Sequence, residues 1–117
     1  MSSLLVYLYT YQFLNQNISK MSYQKVFRLA SQGSQHNIQS HSEPIPTIDA
    51  HEILVKIRGL ALNYRDWAIT NGTYPFPVKD NVIPCSDAAG EVVKVGSRVD
   101  NLKIEDRVIA GYDGTNL

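Results

Sequence analysis

Three fragments set the reading: His51-Glu52-Ile53-Leu54-Val55-Lys56-Ile57, then Leu62-Asn63-Tyr64-Arg65-Asp66, then Ile83-Pro84-Cys85-Ser86-Asp87-Ala88-Ala89-Gly90-Glu91-Val92-Val93. Across residues 51–62 apolar and polar side chains alternate, which predicts a strand with Ile53, Val55 and Ile57 on one face and Leu54, Lys56 and Arg58 on the other. Gly59 falls inside that run and marks a bulge or bend, because glycine weakens a strand and sits where the backbone must turn. Asn63 is placed to cap a short helix running through Ile69, and Asn71-Gly72 supplies the left-handed residue that commonly ends one.

Outward from these fragments, Tyr23–Leu29 reads as a strand entering the polar turn Ser31-Gln32-Gly33-Ser34, with residues 36–41 as its partner. Glu43-Pro44-Ile45-Pro46 is expected to be an extended connector and not an element, since each proline fixes its own φ and keeps the preceding residue from the helical region. Residues 88–95 and Arg107–Ala110 are the remaining strand candidates. Short strands with one brief helix predict a β-rich, barrel-like domain and exclude a helical bundle or a parallel α/β sheet.

The whole sequence has 117 residues, enough for one core. Eleven basic and eleven acidic side chains cancel, and neither sign forms a run suited to a phosphate backbone or an anionic lipid surface. Nucleic acid and membrane partners are therefore not expected. Cys85 is the only cysteine, so the chain alone can make no internal disulfide, which fits a reducing, cytoplasmic setting. Residues 1–20 carry an apolar run, Leu4 to Tyr9, without the basic start of an export signal and too short to span a bilayer. Because Met21 opens a stretch that itself reads as a protein start, residues 1–20 are expected to be an upstream, disordered extension and 21–117 the domain.

The fragments in this order, followed by Val95-Gly96 and Asp106-Arg107-Val108, resemble the medium-chain dehydrogenase/reductase superfamily over residues 21–111. The resemblance implies a GroES-like, partly open β-barrel with one short helix, here incomplete, and the N-terminal part of an NAD(P)H-dependent oxidoreductase that reduces quinones, enones or related unsaturated carbonyls. A small unsaturated carbonyl or quinone is thus the expected partner. The Rossmann domain that such proteins carry is not in this sequence, and its glycines lack the strand–glycine–helix spacing that grips a dinucleotide. NADP(H) or NAD(H) is expected in a complete protein, whereas tight binding by this chain is not. The isolated chain is expected to be inactive; the alternative is a truncated, non-enzymatic GroES-like binding module or an inactive gene fragment.

Zinc-containing members of the superfamily carry cysteine, histidine and glutamate where this sequence has Asn63, Ser86 and Asp87. An amide and a hydroxyl replace thiolate and imidazole poorly, so no catalytic zinc is expected. By the same resemblance Asn63 and Tyr64 line the cleft beside the nicotinamide ring, and Asp66 belongs to that cleft or holds its loop through backbone bonds or Arg65. Asn63 is then a cofactor-side residue, although asparagine at that point also serves as a plain helix cap. Tyr74 matches a tyrosine that enoyl thioester reductases use near the substrate, and with Tyr64 it is the catalytic candidate. A phenol can donate a hydrogen bond or proton to a developing enolate; the competing role is an aromatic anchor for the loop. Trp67 is assigned to packing and Cys85 to a packed small thiol. Glu105 stands where the superfamily has glycine, and a positive φ there would cost about 1 kcal/mol.

Overall fold

A computed structural model describes residues 6–9, for their backbone, and 22–111. Six strands, one α-helix and a 3₁₀ turn follow in order: β1 (Val6–Tyr9), β2 (Tyr23–Leu29), the 3₁₀ turn Gln35–Asn37, β3 (Ile38–Pro44), β4 (Ile53–Ala61), α1 (Tyr64–Asn71), β5 (Asp87–Val95) and β6 (Arg107–Ala110). The strands form a four-stranded sheet of order β1-β4-β5-β6 and a separate antiparallel pair, β2-β3. Neither sheet closes on itself, so the architecture is the expected mainly β, partly open form with one short helix.

The core lies under the centre of the larger sheet. Ile53, Val55 and Val92 are almost fully buried, and Val95, Val99, Leu102 and Val108 pack against them. The predicted alternation holds for Ile53 and Val55, but Leu54 is buried as well, so the start of β4 is covered on both sides. The register of β4 against β5 shifts between Leu54 and Val55 and again between Ile57 and Gly59. Such irregularities raise the local twist and bend a sheet, which is what an open barrel requires; the second falls at the expected Gly59. Gly90 lets β5 lie close to β4, since a Cβ there would stand 2.5 Å from the Lys56 carbonyl oxygen and 2.6 Å from Val55 Cγ1.

The smaller sheet is tied to the rest by directed bonds. Leu29 N–H donates to Val82 O at 2.8 Å and Gly33 N–H to Thr70 O at 2.8 Å, joining β2 and its turn to the 73–86 loop and the end of α1. Arg28 grips Glu43 with two guanidinium nitrogens, Nε to Oε1 at 2.5 Å and Nη2 to Oε2 at 2.8 Å, while its Nη1 donates to Asn81 O at 2.9 Å. One side chain therefore joins both strands of the pair to the loop.

Two sequence expectations need correction here. The 43–46 stretch is not purely a connector, because β3 continues through Glu43 and Pro44, paired with Gln24 and Tyr23. A proline is tolerated at the last position of an edge strand, where its missing N–H removes no interior ladder bond. Within residues 1–20, expected to be an unstructured extension, Val6–Tyr9 instead pairs in parallel with β4, Val6 opposite Ile53 and Tyr9 opposite Lys56. The apolar run weighed only as a targeting signal has strand-forming composition, and the edge of β4 supplies its backbone partners. The rest of that extension, residues 1–5 and 10–20, lies outside the described residues. Among those described, no helix is long and apolar enough to cross a membrane.

Candidate functional site

The site forms where β4 ends and α1 begins. Asn63 is the N-cap, with extended backbone (φ −120°, ψ 164°), and α1 closes at Gly72 in the left-handed region (φ 73°, ψ 20°), whose N–H reaches the carbonyls of Ala68 and Ile69. Both ends match their sequence signals. The first turn is fastened by Asp66, whose Oδ2 accepts the Asn63 backbone N–H at 2.8 Å, the returning arm of a capping box.

Asp66 is buried, and its second oxygen is also in use: Oδ1 accepts the backbone N–H of Cys85 at 3.0 Å. A carboxylate with both oxygens on backbone donors is a structural clamp, and this one holds the start of α1 to the segment that leads into β5. Of the two roles weighed for Asp66, the geometry displays the backbone-holding one.

Beside it, Asn63 Nδ2 donates to Asp87 Oδ2 at 2.7 Å. From the sequence these are two positions that carry ligand-type residues in zinc-containing relatives, cysteine at 63 and glutamate at 87; the structure joins them to each other. Among the described residues, no three His, Cys, Asp or Glu side chains gather in an arrangement able to hold a metal ion. The Asn63 amide nitrogen, donating to that carboxylate, has no lone pair to offer a metal.

Cys85 is half-buried and has φ 82°, a left-handed conformation that a non-glycine residue adopts at some strain. Burial, reinforced by the Asp66 carboxylate, pushes its thiol up from the ordinary value. The side chain is thus a protonated thiol at neutral pH, in keeping with the packed-thiol reading.

Tyr74 lies in the 73–86 loop against α1. Arg65 Nε donates to Tyr74 Oη at 3.2 Å, the guanidinium carbon stands 5.2 Å from the centroid of the Tyr74 ring, and Phe76 meets the same ring edge-on at 5.7 Å. Tyr64 points away from the core, 77% exposed, and lies tilted against Trp67 with centroids 5.3 Å apart. Trp67 is itself 53% exposed, so its assignment to packing is corrected: it packs on Tyr64 and presents the rest of its surface outward. Leu60 and Leu62, which lead into α1, are exposed too. The structure therefore couples Asn63 with Asp87, Asp66 with Cys85, and Tyr74 with Arg65, while Tyr64 stays with Trp67.

The chain matches the alcohol dehydrogenase GroES-like domain over residues 49–115, more than half its length, and belongs to that family. It is 44% identical over 69 residues to a zinc-type alcohol dehydrogenase-like protein of Schizosaccharomyces pombe, a match covering 55% of this chain and 20% of that one. It is 46% identical over 69 residues to a chloroplast envelope quinone oxidoreductase homolog of Arabidopsis thaliana, covering 57% and 21%. Against a trans-enoyl reductase of Aspergillus flavipes the identity is 38% over 79 residues, covering 65% and 20%. In three dimensions it is similar to the Escherichia coli quinone oxidoreductase solved with NADPH: TM-score 0.63, 31% identity, 73% of this chain and 26% of that one. The chain thus spans about a fifth of the length of the relatives it matches.

Proposed function

We propose that this chain forms one wall of the cleft in a zinc-free, NAD(P)H-dependent reductase of quinones, enones or related unsaturated carbonyls. The observation that carries the reading is the 2.7 Å bond from Asn63 Nδ2 to Asp87 Oδ2, which commits to each other two side chains that a metal-dependent relative would turn toward an ion. Without an ion, the substrate oxygen must be polarised by hydrogen-bond donors, and the donor offered here is the Tyr74 phenol. Tyr64 and Trp67 add an exposed aromatic surface on which a planar conjugated substrate can lie. Asp66 holds α1 and the Cys85 segment together and so fixes the frame in which these groups stand. The nicotinamide supplies hydride when bound, and the strand–glycine–helix turn that would hold it is not among these residues. The 117-residue chain alone accordingly turns over no NADPH.

The reading is tested by titrating the chain with 2-cyclohexenone and with benzoquinone while following backbone and aromatic NMR signals, and separately with zinc. Signals of residues 63–67 and 74 should move with the organic ligands and stay in place with zinc. Ligand-induced shifts confined to other parts of the chain, or a one-to-one zinc complex that displaces the Asn63 signals, would overturn it.

A further inference from the structure

We infer that the Asn63–Asp87 pair decides which unsaturated carbonyls the cleft accepts: it admits uncharged ones whose carbonyl carries an N–H or O–H neighbour and turns away conjugated carboxylates. The inference rests on the reading of residues 63–67 as cleft wall. In the 2.7 Å contact from Asn63 Nδ2 to Asp87 Oδ2 the direction is set by chemistry, because a carboxylate offers only acceptors and the amide must turn its nitrogen to it. That nitrogen carries two hydrogens and the carboxylate two oxygens, so one of each is engaged. Among the described residues, no other group bonds the Asn63 amide nitrogen or Asp87 Oδ1. The pair is left with one donor and one acceptor.

Both leftovers are held in place and open to a ligand. Asn63 caps α1, with its backbone N–H fixed by Asp66 Oδ2 at 2.8 Å, while Asp87 opens β5 opposite Ala61, two residues before Asn63. Asn63 is exposed. Among the described residues, the buried side-chain polar atom without a partner is Gln24 Oε1, so the unpaired Asp87 Oδ1 is in reach of solvent. A conjugated primary amide satisfies both groups, its carbonyl accepting from Asn63 and its N–H donating to Asp87. A conjugated carboxylate has only acceptors and sets its charge against that of Asp87, which no described cation offsets by an ion pair.

The test titrates the full chain with trans-cinnamamide, trans-cinnamate and 2-cyclohexenone at pH 7 while the NMR signals of residues 63–67 are followed. Cinnamamide should bind about tenfold more tightly than cinnamate, the size of a like-charge contact partly screened by solvent. Asp87→Asn should erase that ratio by strengthening cinnamate, and Asp87→Glu, which keeps the charge, should preserve it. If 2-cyclohexenone and cinnamamide move residues 63–67 but cinnamate binds the wild type as tightly as cinnamamide, the filter is overturned and the cleft reading stands. The filter is equally overturned if the ratio survives in Asp87→Asn, as it would were the carboxylate only a support for the loop. If none of the three ligands moves residues 63–67, the cleft reading fails and the filter with it.

Discussion

The backbone N–H of Cys85 donates to Asp66 Oδ1 at 3.0 Å across nineteen positions of sequence, so a buried helix carboxylate is an anchor for the loop that enters β5. Removing that acceptor strands two backbone donors, at Cys85 and Asn63. Asp66→Ala should cost about 2 to 3 kcal/mol, read as a lower urea midpoint, and Asp66→Asn about half as much because the amide keeps one accepting oxygen. Equal midpoints for the wild type and Asp66→Ala would mean the clamp contributes nothing.

Glu105 has φ 76° and sits in a turn closed by Asp106 N–H to Lys103 O, while its own N–H and the Asp106 carbonyl both bond Val92, in the manner of a bulge that favours glycine at its first residue. The positive φ anticipated for this position is present. Glu105→Gly should raise stability by about 0.5 to 1 kcal/mol, since relief of the Cβ clash outweighs the added freedom of the unfolded chain. Glu105→Ala, which keeps the Cβ, should show no such gain in thermal midpoint.

Because burial and the Asp66 carboxylate raise the Cys85 thiol, the folded chain holds that proton more tightly than the unfolded one. Stability from this group is complete below the ordinary thiol range and is lost as pH rises toward the folded value. Iodoacetamide should therefore react with native Cys85 more slowly at pH 8 than with the urea-unfolded chain. Cys85→Ala should flatten the alkaline fall in stability.

Arg28 holds the Glu43 carboxyl below its usual range through a two-pronged bond, so this pair stabilises the fold above the ordinary carboxylate range and fails as pH drops through the lowered value. Both side chains are roughly a quarter to a third exposed, which limits the effect to about 1 kcal/mol. A double-mutant cycle of Arg28→Met and Glu43→Gln should give a coupling of that size at pH 7 and a progressively smaller one as the pH is taken below the ordinary carboxylate range. A coupling unchanged by pH would contradict the ionic account.

Features governed by neighbours in sequence were legible before any coordinates. The alternation of β4, the caps of α1 at Asn63 and Gly72, the bulge at Gly59 and the awkward Glu105 each depend on a few adjacent residues. Features that need distant partners were not. Nothing local says that Asn63 will reach Asp87, that Arg65 will hold Tyr74, or that Val6–Tyr9 will find β4. The exposure of Trp67 escaped for a related reason: its ring is set against Tyr64, three residues back on the same helix face, and not against the core.

The parallel pairing of Val6 with Ile53 has a consequence for the order of events at the ribosome. Synthesis delivers β1 before its partner β4, with the residues of the β2-β3 pair between them, and a strand without a neighbour has no means of staying extended. This segment therefore settles only once β4 has arrived, and until then it is an unpaired strand whose backbone chaperones or like chains can engage.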